Sequence, residues 1–315
     1  MEFTKNHQKL LQILLFCIGF LILGYVISVS GIIQNYQVLF KVNIPLLFLA
    51  LCLSLCTIAF RIVRWKFLSQ KYDTEITWHD AALVSVASLF YANITPGKVG
   101  DLYKAYYMQR RYSLNIFNGI SMIFYERFFE LMILFLAAFA IVFIQLKGIT
   151  VIILEVTAII LVLLFLFYYK ADYFLKVLEK HKSKLPVLNK IPDGFEIKKL
   201  PFPDILRVFV ITGCSLSCDF LTLFVVALAF GYTLNPLILT IFFCLSIIAG
   251  LVSQIPLGVG VMEGSLGYLL LFLGVAASDS MAIVLIDRML SMYLVLILGF
   301  ICSKYTTDQC LGVTT

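Results

Sequence analysis

The sequence predicts an all-α, polytopic helical membrane protein with about six full spans plus two re-entrant helical hairpins in an inverted-topology repeat. Three observations carry this. Apolar residues make up 62% of the 315 residues and charged ones 13%, with a mean hydropathy of +1.00; soluble domains are about half apolar. Runs approaching or exceeding the ~20 apolar residues needed to cross the hydrocarbon lie at Leu10 to Ser30, Ile44 to Phe60, Asn115 to Leu146, Ile149 to Tyr169, Ile205 to Gly231 and Met281 to Ser303. One local pattern occurs twice: Pro96-Gly97-Lys98-Val99-Gly100 with Asp101 and then Glu126-Arg127, and Pro256-Leu257-Gly258-Val259-Gly260 with Glu263 and then Asp287-Arg288.

Each element follows from charge placement and length. The first run is long and lacks a small-residue cleavage site before a polar domain, so it is expected to stay as the first helix. Lys5 and Lys9 precede it, and Arg61, Arg64, Lys66 and Lys71 follow the second run. The positive-inside bias puts both groups on the cytoplasmic side and Lys41 outside. Arg61 and Arg64 read as ordinary boundary residues, and Trp65 and Trp78 as interfacial anchors. The 170–204 loop carries eight lysines against five acids and is also expected in the cytoplasm.

The crossings between Lys71 and that loop must be even in number. Asn115 to Leu146 and Ile149 to Tyr169 supply two, so residues 80–112 must enter and return on one face, with Pro96-Gly97 at the tip. The second arm of this hairpin, from Asp101, is amphipathic, with Lys104 and Arg111 on one face. In the second half the span from Ile205 runs outward and the final span returns to Lys304, so hairpin 235–277 opens on the other side. Leu237 to Ser253 is nearly long enough to cross, which leaves two full crossings as an alternative. The chain then forms a single membrane domain, 1–315, with repeat units 44–146 and 205–303. The expected location is the plasma membrane, with both termini cytoplasmic.

No polar stretch approaches the ~100 residues of an ordinary soluble domain. Any activity is expected in the membrane or from a partner. The net charge of +6 follows lysines and arginines beside membrane ends, which argues for a membrane surface and against nucleic acid. Seven of eight cysteines sit in apolar segments, and the pairs Cys52/Cys56 and Cys214/Cys218 have no histidine in their helices. A tetrahedral site needs four ligands, so no metal is expected. Nucleotide-binding loops and serine nucleophile elbows are missing too, and neither catalytic residues nor cofactors are assigned.

The chemistry sits in the repeat. Pro96, Gly97 and Gly100, and Pro256, Gly258 and Gly260, suit breaks between half-helices. Free N–H groups at the start of each second arm would form an anion site, particularly for phosphate. Arg127 lies about twelve residues into its span, roughly 18 Å at ~1.5 Å per residue. At that depth an arginine costs at least about 2.5 kcal/mol and needs a cavity and a partner. Glu130 is the local candidate, with Asp101 or Glu263 reaching across. Arg288 is shallower and is expected to draw its partner from a hairpin, with Asp287 pointing elsewhere. Lys98 adds a cation or is solvated; Glu126 forms the acid of the first pair; Asp219 pairs with Arg127, binds a proton or stays neutral. Asn93 and Thr95, and Ser253 and Gln254, cap freed backbone or touch a head group. Such pairs either meet a phosphate, to which arginine offers a planar donor fork, or only lock helices together.

The segment Asn93-Ile94-Thr95-Pro96-Gly97-Lys98-Val99-Gly100-Asp101, the later Glu126-Arg127, and Pro256 to Glu263 with Arg288 together resemble the lysylphosphatidylglycerol synthase transmembrane, or flippase-like, family. The resemblance spans nearly the whole chain. The family's first motif commonly reads Pro-x-Arg-x-Gly-Glu; here Lys98 and Asp101 keep the charges without arginine's fork. The resemblance implies movement of a phospholipid or a polyprenyl-phosphate-linked head group between leaflets. In two-part relatives a separate soluble domain performs aminoacyl transfer, and the synthase activity is not carried over to this chain. Two other classes stay open: a membrane transferase using Glu126, Asp219 or Glu263 as base, and a scaffold for a separate glycosyltransferase or synthase.

Overall fold

A computed structural model describes residues 2–40, 42–145 and 198–311, and every regular element in them is helical. The expected span at Ile149 to Tyr169 and most of the basic loop 170–204 lie outside the described residues. We number the described helices α1 (Glu2–Ser30), α2 (Ile44–Lys71), α3 (Trp78–Ile94), α4 (Leu102–Tyr112), α5 (Ile116–Gln145), α6 (Phe202–Ala229), α7 (Pro236–Ser253), α8 (Val261–Phe272), α9 (Ala277–Arg288) and α10 (Leu294–Leu311). Four stretches among the described residues are long and apolar enough to cross a membrane: Ile44–Lys71, Phe202–Ala229, Pro236–Ser253 and Ala277–Thr307. Ile44, Leu21 and Phe272 stay 76%, 73% and 77% exposed. Large apolar side chains in contact with the surroundings suit lipid, which also forces backbone polar groups to pair within each helix.

Helix starts are written in the sequence. Asn43 caps α2 by accepting from the Leu46 amide, with a proline in the first turn. Thr77 caps α3 by accepting from the Asp80 amide at 3.1 Å. Asn235 does the same for α7 through the Leu237 and Ile238 amides. These side chains satisfy N–H groups that the first turn leaves without partners.

The α2 and α6 helices pair antiparallel and form the spine. At one end the Asn43 amide donates to the Ala229 carbonyl; at the other Lys71 Nζ lies 2.9 Å from Asp204 Oδ2. Between them Thr57 Oγ1 donates to the Ser215 carbonyl and Arg61 Nη2 donates to Asp219 Oδ2 at 3.0 Å, both across a separation of 158 residues. That separation nearly equals the offset between Pro96 and Pro256. Near the middle of the spine, residues at equivalent places in the two halves therefore bond each other.

The hairpins approach this spine from opposite ends. In the first, α3 and α4, the open end lies beside the C-terminal part of α2, where Lys66 Nζ donates to the Ile76 carbonyl and the Tyr112 hydroxyl donates to Asp80. In the second, α7 and α8, the open end lies at the C-terminus of α6, where the Tyr232 hydroxyl donates to Asp279 Oδ2 at 2.6 Å. Each base is thus clasped by a tyrosine and an aspartate. One apolar core, including Trp65, Leu68, Tyr107, Met122 and Tyr125, surrounds the first hairpin. A second, including Ala50, Leu223, Leu239, Leu266 and Ile283, surrounds the second. The charged stretch of α2 lies between them.

Three sequence expectations change here. Lys104 and Arg111 do not share a solvated face, because Lys104 is 3% exposed and turned inward whereas Arg111 is exposed. Trp65 is not an interfacial anchor; it is fully buried, with Lys104 Nζ 4.6 Å above its ring. The final span is not a plain helix from Met281, since it begins at Ala277 and contains a π-helical turn, Met289–Tyr293, directly after Arg288. The Leu290 carbonyl in that turn accepts from Ser54 Oγ of α2 at 2.7 Å. Such widened turns are frequent at functional sites.

Candidate functional site

The two Pro-x-x-Val-Gly turns break their hairpins as the sequence anticipates. Pro96–Asp101 and Pro256–Gly258 are short 3-10 segments interrupted by left-handed residues: Gly97 and Lys98 at φ 64° and 56°, and Leu257 at φ 63°. Gln254, just before the second turn, is also left-handed at φ 55°. For residues with a Cβ this conformation costs of order 1–3 kcal/mol and persists where surrounding structure enforces it. Two glycines are required by space as well. A Cβ on Gly100 would strike the backbone of Tyr91, and one on Gly260 (φ 81°) would strike the Gly19 carbonyl and Ile22. The tips meet: Gln254 Oε1 lies where it would be 2.9 Å from a Cβ on Gly97.

The freed N–H groups at the breaks are not all available to an anion. The Gly100 amide donates to Thr95 Oγ1 and the Gly260 amide to Glu263 Oε2, each at 2.7 Å. Thr95 Oγ1 in turn donates to the Tyr91 carbonyl, Ser253 Oγ to the Gly250 carbonyl and Gln254 Nε2 to the Leu251 carbonyl. Capping is what these polar side chains do, and the expectation of open amides at both starts is corrected accordingly. Asn93 instead lines the central cavity, as does Gln254.

That cavity, about 470 Å3, lies between the tips and the spine. Lys98, Arg127 and Glu130 line it from the first half, Arg61 from α2, Asp219 from α6, and Asp287 and Arg288 from the final span. Asp101, Glu126 and Glu263 stand behind this lining, 3%, 1% and 1% exposed.

Ion pairs tie most of these groups together. Arg127 Nε donates to Asp101 Oδ2 at 2.7 Å, its Nη2 also contacts that oxygen, and its Nη1 donates to Glu130 Oε2 at 2.5 Å. Glu126 does not pair with Arg127; its Oε1 accepts from Arg64 Nε at 3.1 Å and its Oε2 from Lys104 Nζ at 2.7 Å. Arg64 Nη2 reaches Glu130 Oε1 at 2.8 Å and Nη1 reaches Thr212. Arg288 Nε stands 3.8 Å from Glu263 Oε1, so its partner does come from a hairpin. Lys98 has no ion pair within 4 Å among the described residues and retains partial exposure to the cavity.

Two sequence readings are overturned. Arg64 and Arg61 are not boundary residues: Arg64 is 2% exposed at the hub of the network and Arg61 holds Asp219. Asp219 consequently pairs with Arg61 and not with Arg127. Both arginines lie just past the apolar run that ends the expected span, and the sequence signal that marks Arg61 is its spacing from Asp219 by nearly the repeat offset. Arg288, shallower by residue count, is the more enclosed arginine, with its side chain 11% exposed against 27% for Arg127. Among the described residues no group of three or more His, Cys, Asp or Glu is arranged to hold a metal.

The family model for the lysylphosphatidylglycerol synthase TM region matches residues 10–299. The chain belongs to that family. It is 25% identical over 312 residues to a UPF0104 membrane protein of Methanothermobacter thermautotrophicus, covering 92% of each chain. It is 23% identical to the UPF0104 membrane protein MJ1595 of Methanocaldococcus jannaschii, covering 91% of this chain and 93% of the relative. A second protein of that organism, MJ1078, is 24% identical over 68% of this chain and 92% of its own length. The match extends over both hairpins and the spine.

Proposed function

We propose that this protein moves the head group of an anionic, phosphate-bearing lipid between leaflets through the cavity where the hairpin tips meet. One observation carries the reading: a cavity lined by apolar and charged side chains and bounded by two half-helix breaks from opposite ends of the spine, with the cations Lys98 and Arg127 facing it. Its volume of about 470 Å3 suits a head group and falls within the ~300–1,000 Å3 of ordinary small-ligand sites. The acyl or prenyl tails stay in the bilayer while the head group crosses. Arg127 offers a guanidinium fork held in place by Asp101 and Glu130, and Lys98 offers a mobile point charge. Hairpins that enter from opposite ends of the spine and meet at their tips support alternating exposure of one site to the two sides.

A transferase is less well supported. The acids that would serve as bases are engaged: Glu126 by Arg64 and Lys104, Asp219 by Arg61, and Glu263 by the Gly260 amide. Under the translocation reading, a separate transferase or synthase supplies or consumes the lipid.

Purified protein in liposomes carrying fluorescent phosphatidylglycerol tests the reading. Wild-type protein is expected to expose inner-leaflet label to an impermeant external quencher, and Lys98→Ala and Arg127→Ala to slow that exposure by tenfold or more, roughly the effect of losing one charge-assisted contact. Lys98 holds no ion pair among the described residues, so its variant separates function from folding. No exposure of any anionic lipid by folded wild-type protein rejects the proposal.

A further inference from the structure

The charged network is balanced in number and unequal in pairing. Arg61, Arg64, Lys98, Lys104, Arg127 and Arg288 face Asp101, Glu126, Glu130, Asp219, Glu263 and Asp287, six of each sign among the described residues. In the first half Asp101, Glu126 and Glu130 each hold a close ion pair, although Asp101 Oδ1 has no hydrogen bond of its own. In the second half Asp287 Oδ1, Glu263 Oε1 and Arg288 Nε are all buried without a hydrogen-bond partner. Asp287 is 3% exposed, lines the cavity, and makes neither a hydrogen bond nor an ion pair through its carboxyl among the described residues.

A phosphate anion entering a site of balanced charge leaves one negative charge in excess, and an uncompensated buried charge is strongly unfavourable. The surroundings of Asp287 determine where compensation falls. On its own helix it has Arg288; α6 brings Asp219 and α8 brings Glu263, while Arg61, Lys98, Arg127 and Glu130 also line the cavity. Residues 14–30 of α1 and 36–40, which also pack here, carry no charged side chain. Asp219 already accepts from Arg61 and Glu263 from the Gly260 amide. Protonating Asp287 breaks no existing bond. It also converts an acceptor-only group that repels phosphate into an O–H donor that can bond it.

We propose that Asp287 is a proton-binding site linked to occupancy of the cavity: one proton from water is taken up on its carboxyl when an anionic phosphate group binds, and is released when that group leaves. This rests on the translocation reading and adds the ion that accompanies the head group. No covalent bond changes in the lipid, and the charge of the occupied site stays at zero.

Calorimetric titration of the full-length protein in detergent with dioctanoyl phosphatidylglycerol, in two buffers of different ionisation enthalpy, measures protons taken up per lipid bound. Where Asp287 is ionised in the empty protein, wild type is expected to take up about one proton per lipid bound, with affinity falling about tenfold per pH unit. Asp287→Asn is expected to bind with no uptake and an affinity independent of pH. Asp287→Glu retains uptake and serves if the amide variant does not fold. Binding by wild type without proton uptake at any pH at which the protein stays folded overturns the inference and leaves translocation standing. Uptake that persists in folded Asp287→Asn overturns the assignment to this residue. Failure of folded wild type to bind the lipid overturns both.

Discussion

Replacing Arg64 by Met removes three hydrogen bonds from the charged guanidinium: to Glu126 at 3.1 Å, to Glu130 at 2.8 Å and to Thr212 at 3.2 Å. Each such bond contributes about 1.5–3 kcal/mol, but the three do not add. Glu126 keeps Lys104 at 2.7 Å and Glu130 keeps Arg127 at 2.5 Å, so neither acid is left alone. The expected loss is that of one broken buried ion pair, about 3–5 kcal/mol. At about 2 °C per kcal/mol for a chain of this size, the melting temperature in detergent should fall by roughly 6–10 °C. Intrinsic-fluorescence melting of the purified variant measures this. The double variant Arg64→Met/Glu130→Gln rebalances the site while Glu126 keeps Lys104 and Arg127 keeps Asp101. It should recover at least about 1 kcal/mol, the coupling expected within one network. A single variant within about 1 kcal/mol of wild type would refute the reasoning, because a water-exposed boundary arginine contributes no more than that.

Arg61 and Asp219 occupy equivalent places in the two halves and bond at 3.0 Å. Arg61→Asp and Asp219→Arg should each lower thermal stability, whereas the combined exchange restores most of it, with a coupling of at least about 1 kcal/mol. Gly100→Ala should abolish the monodisperse peak in fluorescence-detected size-exclusion chromatography, because its Cβ meets the Tyr91 backbone; Gly24→Ala, with nothing within 4 Å, should leave the peak unchanged. At the base of the second hairpin, burial and the hydrogen bond to Asp279 hold the Tyr232 phenol above its ordinary value. The protonated phenol is thus favoured by folding, so its contribution is fully present below about pH 10 and is lost as pH rises through the raised value. Tyr232→Phe should remove that alkaline loss from the pH dependence of melting, at a cost of about 0.5–1.5 kcal/mol near neutrality.

The features legible in the sequence follow from short-range rules. Turn chemistry marks Pro96-Gly97 and Pro256 to Gly260 as helix breaks, because proline lacks an amide hydrogen and glycine tolerates left-handed backbone. Apolar length marks α2, α6 and the final span, and the cost of an arginine at mid-depth marks Arg127 as paired. The rule that fails is the one for charges at span ends. It assigns Arg61, Arg64 and Trp65 to the interface because they follow an apolar run. Yet α2 continues unbroken to Lys71, and α5 and α6 cover that part of it.

The sequence by itself determined that this chain is a helical membrane protein and that its two halves repeat one pattern. It also located the turns and several of the costly charges, since these depend on composition, parity of crossings and local backbone preference. Only the tertiary structure decided which charge meets which. Asp101 and Glu130 hold Arg127, Arg64 and Lys104 share Glu126, Arg61 takes Asp219, and Asp287 is left without a partner among the described residues. The physical reason is that an ion pair is set by a few ångströms across helices distant in sequence. A helix register or a hairpin's depth shifts those distances without changing any local pattern.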